Sequence, residues 1–336
     1  MVDPGAALAM THPFDRRRFL KKSLATTICA PLIMSVEEHR LLARAEPASA
    51  SAAPVKLSDR WYGRIGGVKI GRIICGGNLI SGYAHSRDLI YVSQLLKNYF
   101  SEDRIRETWA LCERHGINTM IAYPGDPRAV EIYGRYRKQG GQIQYLAQIN
   151  PDPRDLKTAV LQARDAGAVG AFLVGNLGDE WSRSGQVDRI GEVIQLIQTH
   201  GLIAGVAGHE LRTPRAVEEA GFDPDFYVKT LHHQNYWSKQ QPAQDREVID
   251  NYAIDNYWCR DPEETIGFMS EVDRPWIAYK VLAAGAIHPR SGFRHAFQNG
   301  ADFAAVGMFD FQVAEDVAIA NEILSSPLNR DREWLA

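Results

Sequence analysis

The chain has 336 residues, 45% of them hydrophobic and 24% charged, with a net charge of −3 at neutral pH. This is an ordinary globular composition, and its balance argues against nucleic acid as the main partner, since neutralising phosphates takes a clustered basic face. The four cysteines show no CxxC spacing, so neither a disulfide framework nor a zinc knot is indicated, and Cys75, Cys112 and Cys259 read as buried thiols.

The first 52 residues read as a leader and linker. Residues 14–24, "FDRRRFLKKSL", are strongly basic, and "SLATTICAPLIMSV" from Ser23 to Val36 carries no charge. That run has the length of a secretory apolar region and is too short to span a bilayer, which takes roughly 20 apolar residues. Arg40, Arg44 and the small-residue stretch "AEPASASAAP" follow. Cys29 falls inside this leader. The order basic, apolar, small is that of an export signal, and "RRRFLK" resembles the twin-arginine type, with Arg16 and Arg17 as the pair. Asp15 departs from it, standing where that signal usually has Ser or Thr. The resemblance implies a twin-arginine translocase as transient partner and a periplasmic or extracellular destination. A disordered basic tail is the competing reading. No later segment approaches transmembrane length.

Residues 53–336 suit a single (β/α)8 barrel domain of roughly 250 residues. Eight short apolar runs predict strands over 69–78, 118–123, 143–150, 170–176, 202–208, 225–231, 275–282 and 302–308. Helical patterns lie between them at 102–116, 155–167, 189–201 and 215–221, with more in "DPEETIGFMSEV" and "GFRHAFQNG", and several end in the glycine that favours a helix C-terminus. Two open sheets are the alternative architecture. Residues 238–259 are longer than an ordinary loop and are expected to cover the barrel mouth.

"VKIGRIICGGNLISG", "ERHGINTMIAYPG", "IAGVAGHELRTPRAVEEAG", "PWIAYKVLAAGAI" and "VGMFDFQVAEDVAIANEIL" resemble, in order, the first, second, fifth, seventh and closing strand regions of aldo-keto reductases. The resemblance implies a TIM barrel whose closing loop and helix hold the phosphate of NADP. It also implies an Asp-Tyr-Lys-His tetrad that reduces a carbonyl. Here the chain departs from the pattern. Ile121 stands at the aspartate position, Gln148 at the lysine position, and Gly175 or Asn176 where histidine is expected, while Tyr123 lies close to the tyrosine position. Hydride chemistry through NADP is therefore the less favoured expectation.

The strand ends offer other chemistry. His209 and His232, with Glu210, could hold a divalent zinc or manganese ion through imidazole and carboxylate groups. Equally, His209 could simply cap the helix that follows it. Alternation sends His232 and His233 to opposite sides. Lys280, on a strand, is either paired or serves as a proton shuttle or electrostatic partner. The candidate catalytic residues are thus Lys280, His232 and Tyr123. Asn78, His85, Gln148, Asn150, Asn176, Trp237 and Trp258 form a polar, aromatic set suited to a carbohydrate-like small molecule. The expected function is non-redox acid–base chemistry of lyase or epimerase type on a sugar-like carbonyl substrate. An NADP-dependent oxidoreductase with a rearranged site and a non-catalytic sugar-binding barrel are the alternatives.

Overall fold

The computed structural model describes residues 53–83, 91–239 and 259–336. The export signal, His85, Trp258 and the centre of the predicted mouth cover lie outside these residues. Strands β1 (Tyr62–Ile65) and β2 (Val68–Gly71) form an antiparallel hairpin. Eight parallel strands then close a barrel: β3 (Ile73–Gly76), β4 (Thr119–Ala122), β5 (Gln144–Ile149), β6 (Gly170–Leu173), β7 (Ile203–Gly208), β8 (Phe226–Thr230), β9 (Trp276–Tyr279) and β10 (Phe303–Gly307). The helices are α1 (Val92–Tyr99), α2 (Glu102–Arg114), α3 (Pro127–Lys138), α4 (Leu156–Asp165), α5 (Gly175–Arg183), α6 (Val187–Thr199), α7 (Arg212–Glu219), α8 (Pro262–Glu271), α9 (Pro289–Gln298) and α10 (Asp310–Ser325). No helix among the described residues is long and apolar enough to cross a membrane.

Each barrel strand matches one predicted run, with a single division. The run 69–78 supplies both β2 and β3, because Arg72 breaks it. Its guanidinium donates to the backbone oxygens of Arg60, Asp302 and Ala336 at 2.9, 3.0 and 2.8 Å and stacks on Trp334, which turns the chain out of the hairpin. The predicted strands 170–176 and 275–282 end early, at Leu173 and Tyr279, where helix and turn take over.

Alternation along the strands builds two cores. Ile74, Ile121, Leu146, Phe172, Ala207, Val228, Ile277 and Phe303 fill the barrel interior, and Ile65 and Ile70 of the hairpin close its floor. Met120, Tyr145, Leu173, Val206, Tyr227 and Ala278 face outward and pack with the helices. Helix starts follow sequence chemistry: Ser101, Asp126 and Asp155 accept first-turn N–H groups of α2, α3 and α4, and Pro127 sits at the first position of α3. Beneath the barrel, fully buried Asp302 accepts from Arg332 at 2.7 Å and from the backbone N–H groups of Trp276 and Leu335 at 3.0 and 2.9 Å.

One buried carboxyl makes stability depend on pH. Asp316 of α10 is 2% exposed, and burial, helped by Glu315, pushes its pKa up to about 7. Below pH 4 the carboxyl is protonated in both folded and unfolded chains. Between pH 4 and 7 the unfolded chain loses that proton first, so folding stability falls as pH rises, by a total on the order of 4 kcal/mol. Asp316→Asn should remove this slope. Urea unfolding from pH 4 to 8 should show the variant gaining on the native protein up to about pH 7, whereas parallel curves would refute the assignment.

Candidate active site

The register of three neighbouring strands decides what reaches the mouth. Ala207 pairs with Val228 and Val228 with Ile277, all three inside the barrel. Two residues further on, Thr230 pairs with Tyr279, and His209 follows Gly208, the neighbour of Lys229. The pleat therefore brings an imidazole, a hydroxyl and a phenol to one level on β7, β8 and β9. The His209 and Tyr279 rings lie 5.3 Å apart.

His209 is almost fully buried, and its Nδ1 lies 2.8 Å from Asp179 Oδ2. The same carboxylate accepts the His209 N–H at 3.0 Å, the Glu210 N–H at 3.1 Å and the Thr213 hydroxyl at 2.8 Å. Burial alone would raise the Asp179 pKa, but the His209 ring and these hydrogen bonds outweigh it and hold the carboxyl below its ordinary value. An ionised carboxylate only accepts. Nδ1 therefore carries the hydrogen, and Nε2 is the basic nitrogen.

Two glycines make this approach possible. A Cβ on Gly178 would stand 2.2 Å from the Ala207 carbonyl oxygen, so glycine there lets α5 lie against β7 and deliver Asp179 beneath the loop. A Cβ on Gly175 would stand 2.6 Å from His209 Cε1 and 2.7 Å from the Tyr279 hydroxyl, so both functional groups crowd the space that glycine leaves.

His232 sits two residues beyond Thr230 and is 2% exposed. Its Nε2 accepts the Cys259 N–H at 3.2 Å and lies 3.2 Å from the Tyr236 hydroxyl. Burial, followed by the charges of Lys229, His233, Lys280 and His295, lowers its pKa to about 3, so the ring is neutral. Its Nδ1 and Thr230 Oγ1 are buried and have no hydrogen-bond partner among the described residues, which makes them available to a polar ligand.

Lys280 directly follows Tyr279 and is half-buried, with Nζ 5.6 Å from the Tyr279 ring centre. Its φ is 59°, and Ala283 and Ala284 have φ of 45° and 57°. Three left-handed non-glycine residues in one turn cost about 1–2 kcal/mol each, a concentration of strain typical of functional turns.

Tyr123 and Gln148 lie half-buried at inward-facing positions just beyond β4 and near the end of β5. Asn78 is half-buried, Asn150 and Asn176 are exposed, and Trp237 stands 87% exposed. The three residues expected to hold a metal are committed differently: His209 to Asp179, Glu210 to Arg183 at 3.0 Å, and His232 Nε2 to the Cys259 N–H. Among the described residues no group of three or more His, Cys, Asp and Glu side chains is placed to hold a metal ion. Where the resemblance puts a nicotinamide cofactor's phosphate, α10 begins with Asp310, whose carboxylate takes the Tyr99 hydroxyl and, at 2.7 Å, Arg104. Phe309 stacks on Phe100 and Phe311 beside it. A phosphate at this helix start would meet a carboxylate and aromatic faces, so these residues do not fit it.

Asp179 and Tyr279 were not identifiable from the sequence. Asp179 lies thirty positions before His209, inside a segment whose helical pattern two glycines obscure, and only strand register separates Tyr279 from Lys280.

No family model and no curated protein matches the chain. Solved structures do match. One from Pseudomonas aeruginosa, named an aldo-keto reductase, superposes with a TM-score of 0.52 at 16% identity, covering 80% of this chain and 94% of its own. A second, also named an aldo-keto reductase from that organism, gives 0.51 at 16% identity, covering 80% and 95%. At this identity the likeness shows the fold. The chain is an aldo-keto-reductase-like (β/α)8 barrel.

Proposed function

We propose that the barrel is an enzyme of lyase or epimerase type, moving a proton beside the carbonyl of a sugar-like substrate. The observation that carries this reading is the buried Asp179 carboxylate on His209 Nδ1, which makes Nε2 a fixed base at the level of the Tyr279 hydroxyl. Nε2 takes the proton from the carbon next to the carbonyl. The electron pair of that C–H bond passes to the carbonyl oxygen, where the Tyr279 hydroxyl and the Lys280 ammonium stabilise the enolate. After the enolate turns over, the imidazolium returns its proton to the opposite face of the carbon, giving epimerisation. Alternatively the enolate collapses as the hydroxyl on the next carbon departs and takes the imidazolium proton to leave as water, giving elimination. Thr230 and Gln148 offer hydrogen bonds to substrate hydroxyls.

The test is a panel of aldoses, ketoses and sugar acids incubated with the protein in D2O and followed by proton NMR. Loss of one C–H signal beside the carbonyl with the native protein, and its persistence with His209→Gln, is the expected result. No exchange across the panel, or equal exchange in both proteins, would defeat the reading.

A further inference from the structure

A second site lies on the flank formed by α5, the loop after β7 with His209 and Glu210, α7, β8 and the start of α8, in a cavity of about 690 Å³. Its wall includes Lys229, an outward residue of β8 between the apolar core residues Tyr227 and Leu231, and only 2% exposed. The ammonium donates to the backbone oxygens of His209 at 2.6 Å and Thr230 at 3.2 Å, and forms an ion pair with no carboxylate among the described residues. A buried charge held only by carbonyl dipoles is costly unless a counter-charge can reach it.

The cavity's own carboxylates do not supply that counter-charge. Glu210 pairs with Arg183 and Glu264 with Arg215, each at 3.0 Å. Counted together, the lining carries five cationic side chains against four carboxylates, so it keeps one positive charge in excess. The eight-residue helix α7 also begins at this cavity, with Leu211 and Arg212 in the lining and no acidic residue in its first turn. On its inner side, however, the Asp179 carboxylate already takes the Glu210 N–H and the Thr213 hydroxyl.

We propose that this flank cavity binds a small oxyanion of the phosphate class, with Lys229 as its buried counter-charge and Arg212 closing over it from α7. Because Lys229 also holds the carbonyl of His209, an anion here bears on the strand end that carries the Asp179–His209 pair. His209 and Glu210 also line this cavity, so it adjoins the proposed catalytic pair. The binding experiment reads phosphate alone and does not depend on the chemistry proposed for the mouth.

Inorganic phosphate is the probe, titrated into the whole protein by calorimetry with sodium chloride holding ionic strength constant. Saturable binding of one phosphate per chain is expected, weakened at least tenfold in Lys229→Met and several-fold in Arg212→Glu. Arg212 is exposed, so the second variant tests the site even if loss of the buried lysine disturbs folding. Absence of saturable binding to the native protein, or equal affinity in native protein and Arg212→Glu, would overturn the proposal.

Discussion

Asp302→Ala should cost the protein about 3–5 kcal/mol, the largest stability loss expected of any single replacement beneath the barrel. The carboxylate is wholly buried and meets Arg332 at 2.7 Å, with Arg330 at 3.9 Å. It also accepts the N–H groups that begin β9 and anchor Leu335. Its removal leaves guanidinium groups that are 4% and 6% exposed without a counter-charge, and two backbone donors without an acceptor. Equilibrium unfolding in guanidinium chloride reads the loss. A change under about 1 kcal/mol would mean that the hydrogen bonds of Arg330 and Arg332 to carbonyls carry the floor alone. The cluster lies at the N-terminal end of the strands, where barrels keep stability rather than chemistry, so turnover per folded molecule should hold.

Asp179→Asn should act in the opposite sense, sparing much of the fold and lowering kcat on the order of 10³-fold with little change in KM. The amide can still accept through its oxygen, but it can also present N–H to Nδ1, which favours the tautomer whose Nε2 is no longer basic. Melting curves and steady-state kinetics together check this. Turnover within threefold of native in a folded variant would show that Asp179 serves the loop alone.

Much of the barrel was legible because strands buried on both faces are short apolar runs, and seven of the eight predicted runs each became one barrel strand within a few residues. The exception, 69–78, failed where a single side chain, Arg72, answers to Asp302 and Ala336 rather than to its neighbours. Helices α1, α3 and α5 carry no clear pattern in the sequence; α5 opens "GNLGDEW", where Gly178 serves contact with β7 and Gly175 makes room for His209 and Tyr279, neither serving helix propensity. The site was legible as three strands and not as three residues. In the site proposed here His209, read from the sequence as a metal ligand, takes the part of the base. Strand parity passes the inward position from Lys280 to Tyr279, and Thr230 precedes His232 at the level of the other two. A one-residue step along a strand reverses the face, and no local pattern in "AYKVL" or "KTLHH" announces where the strand stops. Asp179 is a tertiary partner, visible only once α5 lies on β7.

The central claim is that the mouth moves protons and not hydride. The most direct measurement uses a substrate from the exchange panel carrying deuterium on the carbon beside its carbonyl, turned over in ordinary water with nicotinamide cofactor present. Proton transfer through His209 predicts that the label washes out, with hydrogen from solvent in its place and none on the cofactor. Label retained while the nicotinamide cofactor is oxidised or reduced, or deuterium recovered on the nicotinamide ring, would contradict the account and assign the barrel to redox chemistry.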